Sequence, residues 1–240
     1  MATLVAMSCA LAGGASAQSL RESLFGQRPS DGRRMNPPPV GRYVSEEGAH
    51  FTLDRSGEPP LLKFDDSPEI YALQAQPAPR GDVIYKNDLG EPMLRATRLG
   101  GLTVFTVDRP GGSAAALDGD SPPIRLPTLG PQALVERMAQ ASARASRAAR
   151  RLIPFEAEAT PTSAPLIADA ATVTAEAVVR MSRRADGRTL LARIVKVRLV
   201  EGKKPEAVLS KGVMRITIVP SDGLAGRPSS DRIIWVAEKH

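Results

Sequence analysis

From residue 40 to residue 108, short apolar runs recur about every 8–12 residues, each closed by turn chemistry. The runs are Tyr43-Val44-Ser45, 50–54, 61–64, Ile70-Tyr71-Ala72-Leu73, Val83-Ile84-Tyr85, 93–97 and 102–107. Between them stand Glu47-Gly48, Ser56-Gly57-Glu58-Pro59-Pro60 and similar punctuation. Roughly seven short strands so spaced predict a small antiparallel barrel or sandwich. In the last run Leu102, Val104 and Phe105 mix with Thr103 and Thr106, as expected of a strand with one packed and one wet face.

Beyond Val107 the pattern changes. Residues 108–131 contain Asp108-Arg109-Pro110-Gly111-Gly112 and Asp118-Gly119-Asp120-Ser121-Pro122-Pro123, loop chemistry that reads as a linker over 109–130. A helix is expected to open at Pro131, a favourable first-turn residue, and to end by Pro154. Leu134, Met138, Ala141, Ala145, Ala148 and Leu152 share one face of it, and so many alanines let a partner element approach closely. Residues 164–184 fit two periods. Leu166, Ala170, Val173, Ala177 and Met181 fit a helix, whereas Val173, Ala175, Ala177, Val179 and Met181 alternate ahead of Asp186-Gly187, a hairpin signal. Alanine content and length favour the helix. Residues 194–200 and 212–219 read as a strand pair, with Lys196 and Arg198 on a basic outer face. Ser229-Ser230-Asp231 ahead of Arg232-Ile233-Ile234-Trp235 predicts a capped terminal helix, with Asp near its positive end. The fold class is therefore α+β: an N-terminal antiparallel β-rich module at 40–108, then a helix-and-strand region at 131–240, which can pack together as one domain.

The N-terminus has no such pattern. Residues 1–17 carry no charge and end Ala15-Ser16-Ala17, the small-x-small pattern of a secretory signal. The apolar run is shorter than the roughly 20 residues a membrane span needs. Met1-Ala2-Thr3 lacks the basic residues of such a signal, so the true start is expected upstream. Cys9 as a lipoprotein anchor is the weaker reading, because Ala6-Met7-Ser8 lacks the expected Leu. Residues 18–39, with Asn36-Pro37-Pro38-Pro39, read as a disordered, partly polyproline tether.

Composition narrows the function classes. Beyond residue 17 there is no cysteine, hence no disulfide, thiol nucleophile or thiolate metal site; the only histidines are His50 and His240. No cofactor or metal is expected. The formal charge of +6 draws the chain to anionic surfaces. For a periplasmic or secreted protein these are phospholipid, lipopolysaccharide or cell-wall polymer. Nucleic acid is not expected as a partner, because aromatic residues make up only 4% and supply little base-stacking surface.

Residues 80–92, reading Arg-Gly-Asp-Val-Ile-Tyr-Lys-Asn-Asp-Leu-Gly-Glu-Pro, continue into Leu94-Arg95-Ala96-Thr97-Arg98-Leu99-Gly100-Gly101. With Gly41-Arg42-Tyr43 and Gly226-Arg227-Pro228-Ser229-Ser230, this stretch resembles a family of uncharacterised exported alphaproteobacterial proteins filed as a domain of unknown function. The resemblance covers most of the chain and implies export and a shared architecture. It transfers no catalytic residue.

Candidate sites are few. His50, the one internal histidine, sits at a strand start with no nucleophile-elbow pattern anywhere, so it reads as a rim histidine. Asp65, Asp66 and Glu69 cluster in a loop, either as paired carboxylates for glycan hydrolysis or as a solvated turn. Asp118-Gly119-Asp120 lacks the remaining ligands of a calcium loop. Arg80, Asp82, Tyr85, Lys86, Asn87, Asp88 and Glu91 gather donors and acceptors around a turn at Leu89-Gly90. That turn is either a binding loop on a rigid sheet or a hairpin in which Asn87 and Asp88 satisfy their own backbone. On the helix at 131–153, Arg137, Arg144, Arg147 and Arg151 form a basic stripe in which Glu136 is the only acid. That helix's apolar side is mostly alanine and lacks the run of Trp, Phe or Leu needed to sink it into lipid. Gly226-Arg227-Pro228-Ser229-Ser230 offers backbone N–H groups either to an anion or to ordinary capping.

The function expected is non-catalytic: an exported, envelope-associated binding protein attached through the arginine stripe, with specificity from the 80–91 loop. The alternative is a carboxylate-dependent hydrolase of envelope glycan or peptide using Asp65, Asp66 or Glu69. A third reading makes the alanine face an oligomer contact. The oligomeric state is not legible.

Overall fold

The computed structural model describes residues 37–239. The expected signal at 1–17 and residues 18–36 of the expected tether lie outside the described residues. The tether's last two residues do not hang free. Pro38 is buried, and its carbonyl accepts a hydrogen bond from Arg55 Nη1 at 2.9 Å. The Pro39 carbonyl accepts one from Tyr43 Oη at 2.7 Å.

Nine strands form one antiparallel sheet: β1 Gly41–Ser45, β2 His50–Asp54, β3 Leu61–Phe64, β4 Ile70–Ala72, β5 Gln74–Pro77, β6 Val83–Lys86, β7 Pro92–Ala96, β8 Leu102–Val104 and β9 Ser113–Gly119. Their order is β4-β3-β2-β1-β9-β8-β7-β6-β5. The two end strands are consecutive in the chain, with only Leu73 between them, so the sheet curls into a nearly closed barrel. Inward positions alternate along each strand and fill the interior with Tyr43, Phe51, Leu53, Leu62, Tyr71, Leu73, Val83, Tyr85 and Leu94. Tyr43 and Phe51 are cross-strand partners with rings stacked 5.5 Å apart, and Phe51 meets Phe64 on the next strand at 5.8 Å. A barrel this small is packed rather than hollow.

All seven strands read from the pattern are present. The loop expected over 108–131, however, contains β9, which lies between β1 and β8 in mid-sheet. Its Ser113-Ala114-Ala115-Ala116-Leu117 has no β-branched or aromatic residue, so the ladder partners on both sides, not propensity, make it a strand. Where β9 meets β1 the register shifts, and a Cβ on Gly41 would fall 2.6 Å from the Gly119 carbonyl oxygen. Only glycine admits that approach.

The rest of the chain is an α/β region. It comprises α1 Pro131–Ala149, β10 Phe155–Ala157, α2 Ala164–Ser182, α3 Gly187–Ala192, β11 Lys196–Glu201, β12 Glu206–Ser210, β13 Val213–Ile218 and α4 Ser230–Lys239. The sheet order is β10-β11-β13-β12, parallel except for β12. The helix reading of 164–184 holds. Leu166, Ile167, Ala170, Ala171, Val173, Ala175, Ala177 and Val178 are all buried, so α2 is enclosed on most sides and its two-residue alternation carries no information. α1 buries Met138, Ala141 and Ala145 in the same core. The strand pair at 194–219 is β11 and β13, running parallel from Lys196↔Val213 to Glu201↔Ile218. Its basic outer face is partnered: Lys196 pairs with Glu156 at 2.9 Å and Arg198 with Glu158. Among the described residues no helix is long and apolar enough to cross a membrane.

Candidate functional site

The segment 80–91 leads from a tight turn at Pro79–Gly81, where Arg80 is left-handed at φ 67°, along β6 to the β6–β7 turn. Most of its side chains are engaged within the molecule. Asp82 is buried and receives Arg95 Nε at 2.9 Å, Arg95 Nη2 at 2.5 Å and the Arg98 amide at 3.2 Å. The Arg95 hydrogen bonds hold its carboxyl below the usual carboxylate range. Tyr85 belongs to the barrel core. Asn87 is 1% exposed; its Oδ1 accepts from the amides of Leu89 at 3.0 Å and Glu91 at 2.9 Å, and its Nδ2 donates to Glu91 Oε2 at 2.9 Å. The turn therefore satisfies its own backbone. Arg80 and Glu91 are exposed and Lys86 is half-buried.

That turn also grips the start of α4. Asn87 Nδ2 donates to Asp231 Oδ2 at 3.2 Å, and Asp88 accepts from the Ser229 amide at 3.1 Å and from Ser229 Oγ at 2.5 Å. Ser229 Oγ in turn accepts from the Arg232 amide at 3.1 Å, the capping bond expected from the sequence. A second barrel acid, Glu69 in the β3–β4 loop, accepts from the Ser230 amide at 2.8 Å and from Ser230 Oγ. The N–H groups of Ser229 and Ser230 thus do meet acids, and the acids are the chain's own Asp88 and Glu69. Both acids favour the positive end of the helix dipole.

Beneath them lies Arg227, with its side chain 2% exposed. It pairs with Asp169 of α2, lies 3.8 Å from Glu69 and donates to the Ile70 carbonyl at 2.8 Å. Burial works against its charge, but Asp169 and Glu69 together raise its pKa. Burial pushes the Glu69 carboxyl up to about 7, against the pull of Arg227 and of the Ser230 hydrogen bonds. Arg180 of α2 completes the layer, reaching Ser230 Oγ at 2.5 Å and Asp231 at 2.7 Å. This is a sealed polar latch between barrel and α/β region. Glu69 at its centre is fully buried.

The other two acids of the expected carboxylate cluster lie apart from Glu69's surroundings. Asp65 and Asp66 are exposed, and Asp65 pairs with Arg42 at 2.6 Å. His50 Nδ1 faces Asp118 of β9 at 3.6 Å, with no serine bonded to it. No group of three or more His, Cys, Asp or Glu that could hold a metal occurs among the described residues. An open cleft of about 730 Å³ lies between the β2–β3 loop, residues 124–126 and the turn at 221–224. Asp54 in its wall accepts from the amides of Ser56 at 2.8 Å and Ile124 at 2.7 Å. Burial would raise the Asp54 pKa, but these bonds and Arg125 hold it below the usual range. None of the residues singled out from the sequence lines this cleft.

The arginine stripe divides in two. Arg144 is paired with Glu176 of α2, and Arg151 Nη2 donates to the carbonyls of Leu191, at 2.6 Å, and Ile194. Arg137 and Arg147 are exposed, and no acid pairs with either among the described residues. The missed residues were Arg180, Asp169 and Glu176, whose partners are remote in sequence; the Ser-rich start of α4 was the one legible sign of the latch.

The model of a family described as a domain of unknown function (DUF4908) matches residues 19–237. No curated protein matches the chain, and no solved structure does.

Proposed function

Since the chain belongs to this family, DUF4908, whose description assigns no activity, we propose from its own residues that it is an exported, non-catalytic protein of the bacterial cell envelope. It resides in the periplasm or outside the cell and attaches to an anionic envelope component through its basic surface. The observation that carries the reading is the pair of unpartnered, exposed cations on α1, Arg137 and Arg147, on a helix with one acid. Ten residues separate them, about 15 Å along the axis, a spacing that suits a phosphate-rich surface. Most side chains of the 80–91 segment serve the barrel and the latch, so attachment is assigned to α1. The sealed environment of Glu69 and the open turn of Asp65 and Asp66 weigh against the hydrolase alternative.

The test is binding of the full chain to envelope fractions over a salt series. The Arg137→Gln/Arg147→Gln variant is expected to bind several-fold more weakly and with a shallower salt dependence; unchanged binding refutes the reading. Export is checked separately by N-terminal sequencing of protein recovered from the periplasm or medium. Protein confined to the cytoplasm overturns it.

A further inference from the structure

At the C-terminal end of α1 the chain turns through Arg150, left-handed at φ 53°. The next three residues are pinned. Arg151 is anchored by its guanidinium on the Leu191 and Ile194 carbonyls. Ile153 is held by its amide on Ser146 Oγ at 2.9 Å and by its carbonyl on Ser142 Oγ at 2.8 Å. Between these anchors Leu152 is forced outward and is 74% exposed. Beside Ile194, Val195 is likewise 58% exposed. Its amide donates to the Gly212 carbonyl at 2.7 Å, and Gly212 lies so close beneath it that a Cβ there would fall 2.7 Å from Val195 Cγ2. Two aliphatic side chains are therefore presented to water on anchored backbone.

The residues around them are cationic. Arg150, Arg188 of α3 and Lys211 of the β12–β13 turn are exposed, and none of the three has an acidic partner among the described residues. The acids nearby, Asp186 and Glu238, are both taken by Arg184, at 3.0 and 2.5 Å. We propose that this end of the α/β region is a docking surface for an anionic phospholipid bilayer, with Leu152 and Val195 dipping among the headgroups and Arg150, Arg188 and Lys211 meeting the phosphates. The proposal rests on the attachment reading above, names its partner and extends the contact from the side of α1 to its end. Two aliphatic chains are too little for the core of a stable protein interface, which buries over about 1,200 Å². They do suffice to enter the boundary between headgroups and acyl chains when cations share the work. The apolar residue that α1 lacks along its basic side is supplied by Leu152 at its end.

The full chain is assayed by co-sedimentation with vesicles of phosphatidylglycerol and phosphatidylcholine in equal parts, and with phosphatidylcholine alone. Binding is expected only to the former. Arg150→Gln/Arg188→Gln/Lys211→Gln is expected to weaken it about five-fold per charge. Leu152→Ser/Val195→Ser is expected to weaken it about ten-fold while leaving its salt dependence intact. All five positions are exposed, so circular dichroism is expected to be unchanged. If anionic vesicles bind but only Arg137→Gln/Arg147→Gln matters, the docking surface is refuted and the attachment reading stands. The same division follows if the chain binds envelope fractions, cell-wall polymer or lipopolysaccharide but not these vesicles. If it binds neither vesicles nor envelope fractions, both fall.

Discussion

The barrel is filled by a few large side chains, whereas the α/β region is closed by many small ones. In the barrel Tyr43, Phe51, Tyr71 and Tyr85 occupy the interior, and each touches partners one strand away. In the α/β region α2 is walled in through Ala170, Ala171, Ala175 and Ala177, where backbones come close and little volume separates them. The two cores therefore fail in opposite directions. The barrel cannot lose volume and the helical layer cannot gain it. Between them lies the charged latch, which belongs to neither core and has to be satisfied as a unit.

Arg227→Met gives the largest expected effect, about 5 kcal/mol, because it leaves Glu69 and Asp169 buried without the cation they share. Chemical denaturation checks it, and an effect under about 1 kcal/mol would mean the latch is not load-sharing. Phe51→Ala comes next, at about 4 kcal/mol, from a cavity in the ring stack. Ala171→Leu, fully buried on α2, is expected to cost about 1–3 kcal/mol by overpacking. If adding volume on α2 proves harmless, the contrast between the two cores is broken. Arg42→Gln, which removes an exposed pair with Asp65, is expected to change stability by under about 0.5 kcal/mol.

The latch adds a pH prediction with a definite sign. Burial holds the folded-state pKa of Glu69 at about 7, above its ordinary 4.5. Its contribution is thus fully present below about 4.5 and is lost as pH rises through 7. Wild type is expected to fall behind Glu69→Gln in thermal stability across that window, by several degrees at the upper end. A melting-temperature difference that does not vary with pH would refute this assignment.

Much of the fold was legible because it is local. The seven β-runs at 43–107 alternate and are punctuated, and Ser229 announces α4 by a capping bond three residues long. Two of the elements that escaped have no pattern of their own. β5, Gln74–Pro77, is exposed at every position, and β9 is an alanine run that acquires its conformation from β1 and β8. The latch escaped for a different reason. Glu69 and Ser230 are 161 positions apart, and no periodicity links an acid in a barrel loop to a helix start. A separation of 32 positions likewise hid the Arg144–Glu176 pair, which takes one charge from a stripe that reads as uniform along α1.

Leu73 gives the barrel a seam. Around the rest of its circumference neighbouring strands are laced by ladders, but β4 and β5 meet only because one peptide run passes from the first end of the sheet to the last. Arg227 grips the free side of that run at the Ile70 carbonyl, and the Leu73 amide is tied back to the Pro60 carbonyl at 2.8 Å. A single proteolytic cut at Leu73 would leave every ladder intact and turn the ring into a nine-stranded ribbon with two raw edges. Closure across this seam thus runs through one covalent link, two hydrogen bonds and the fully buried Leu73 side chain, where no ladder helps.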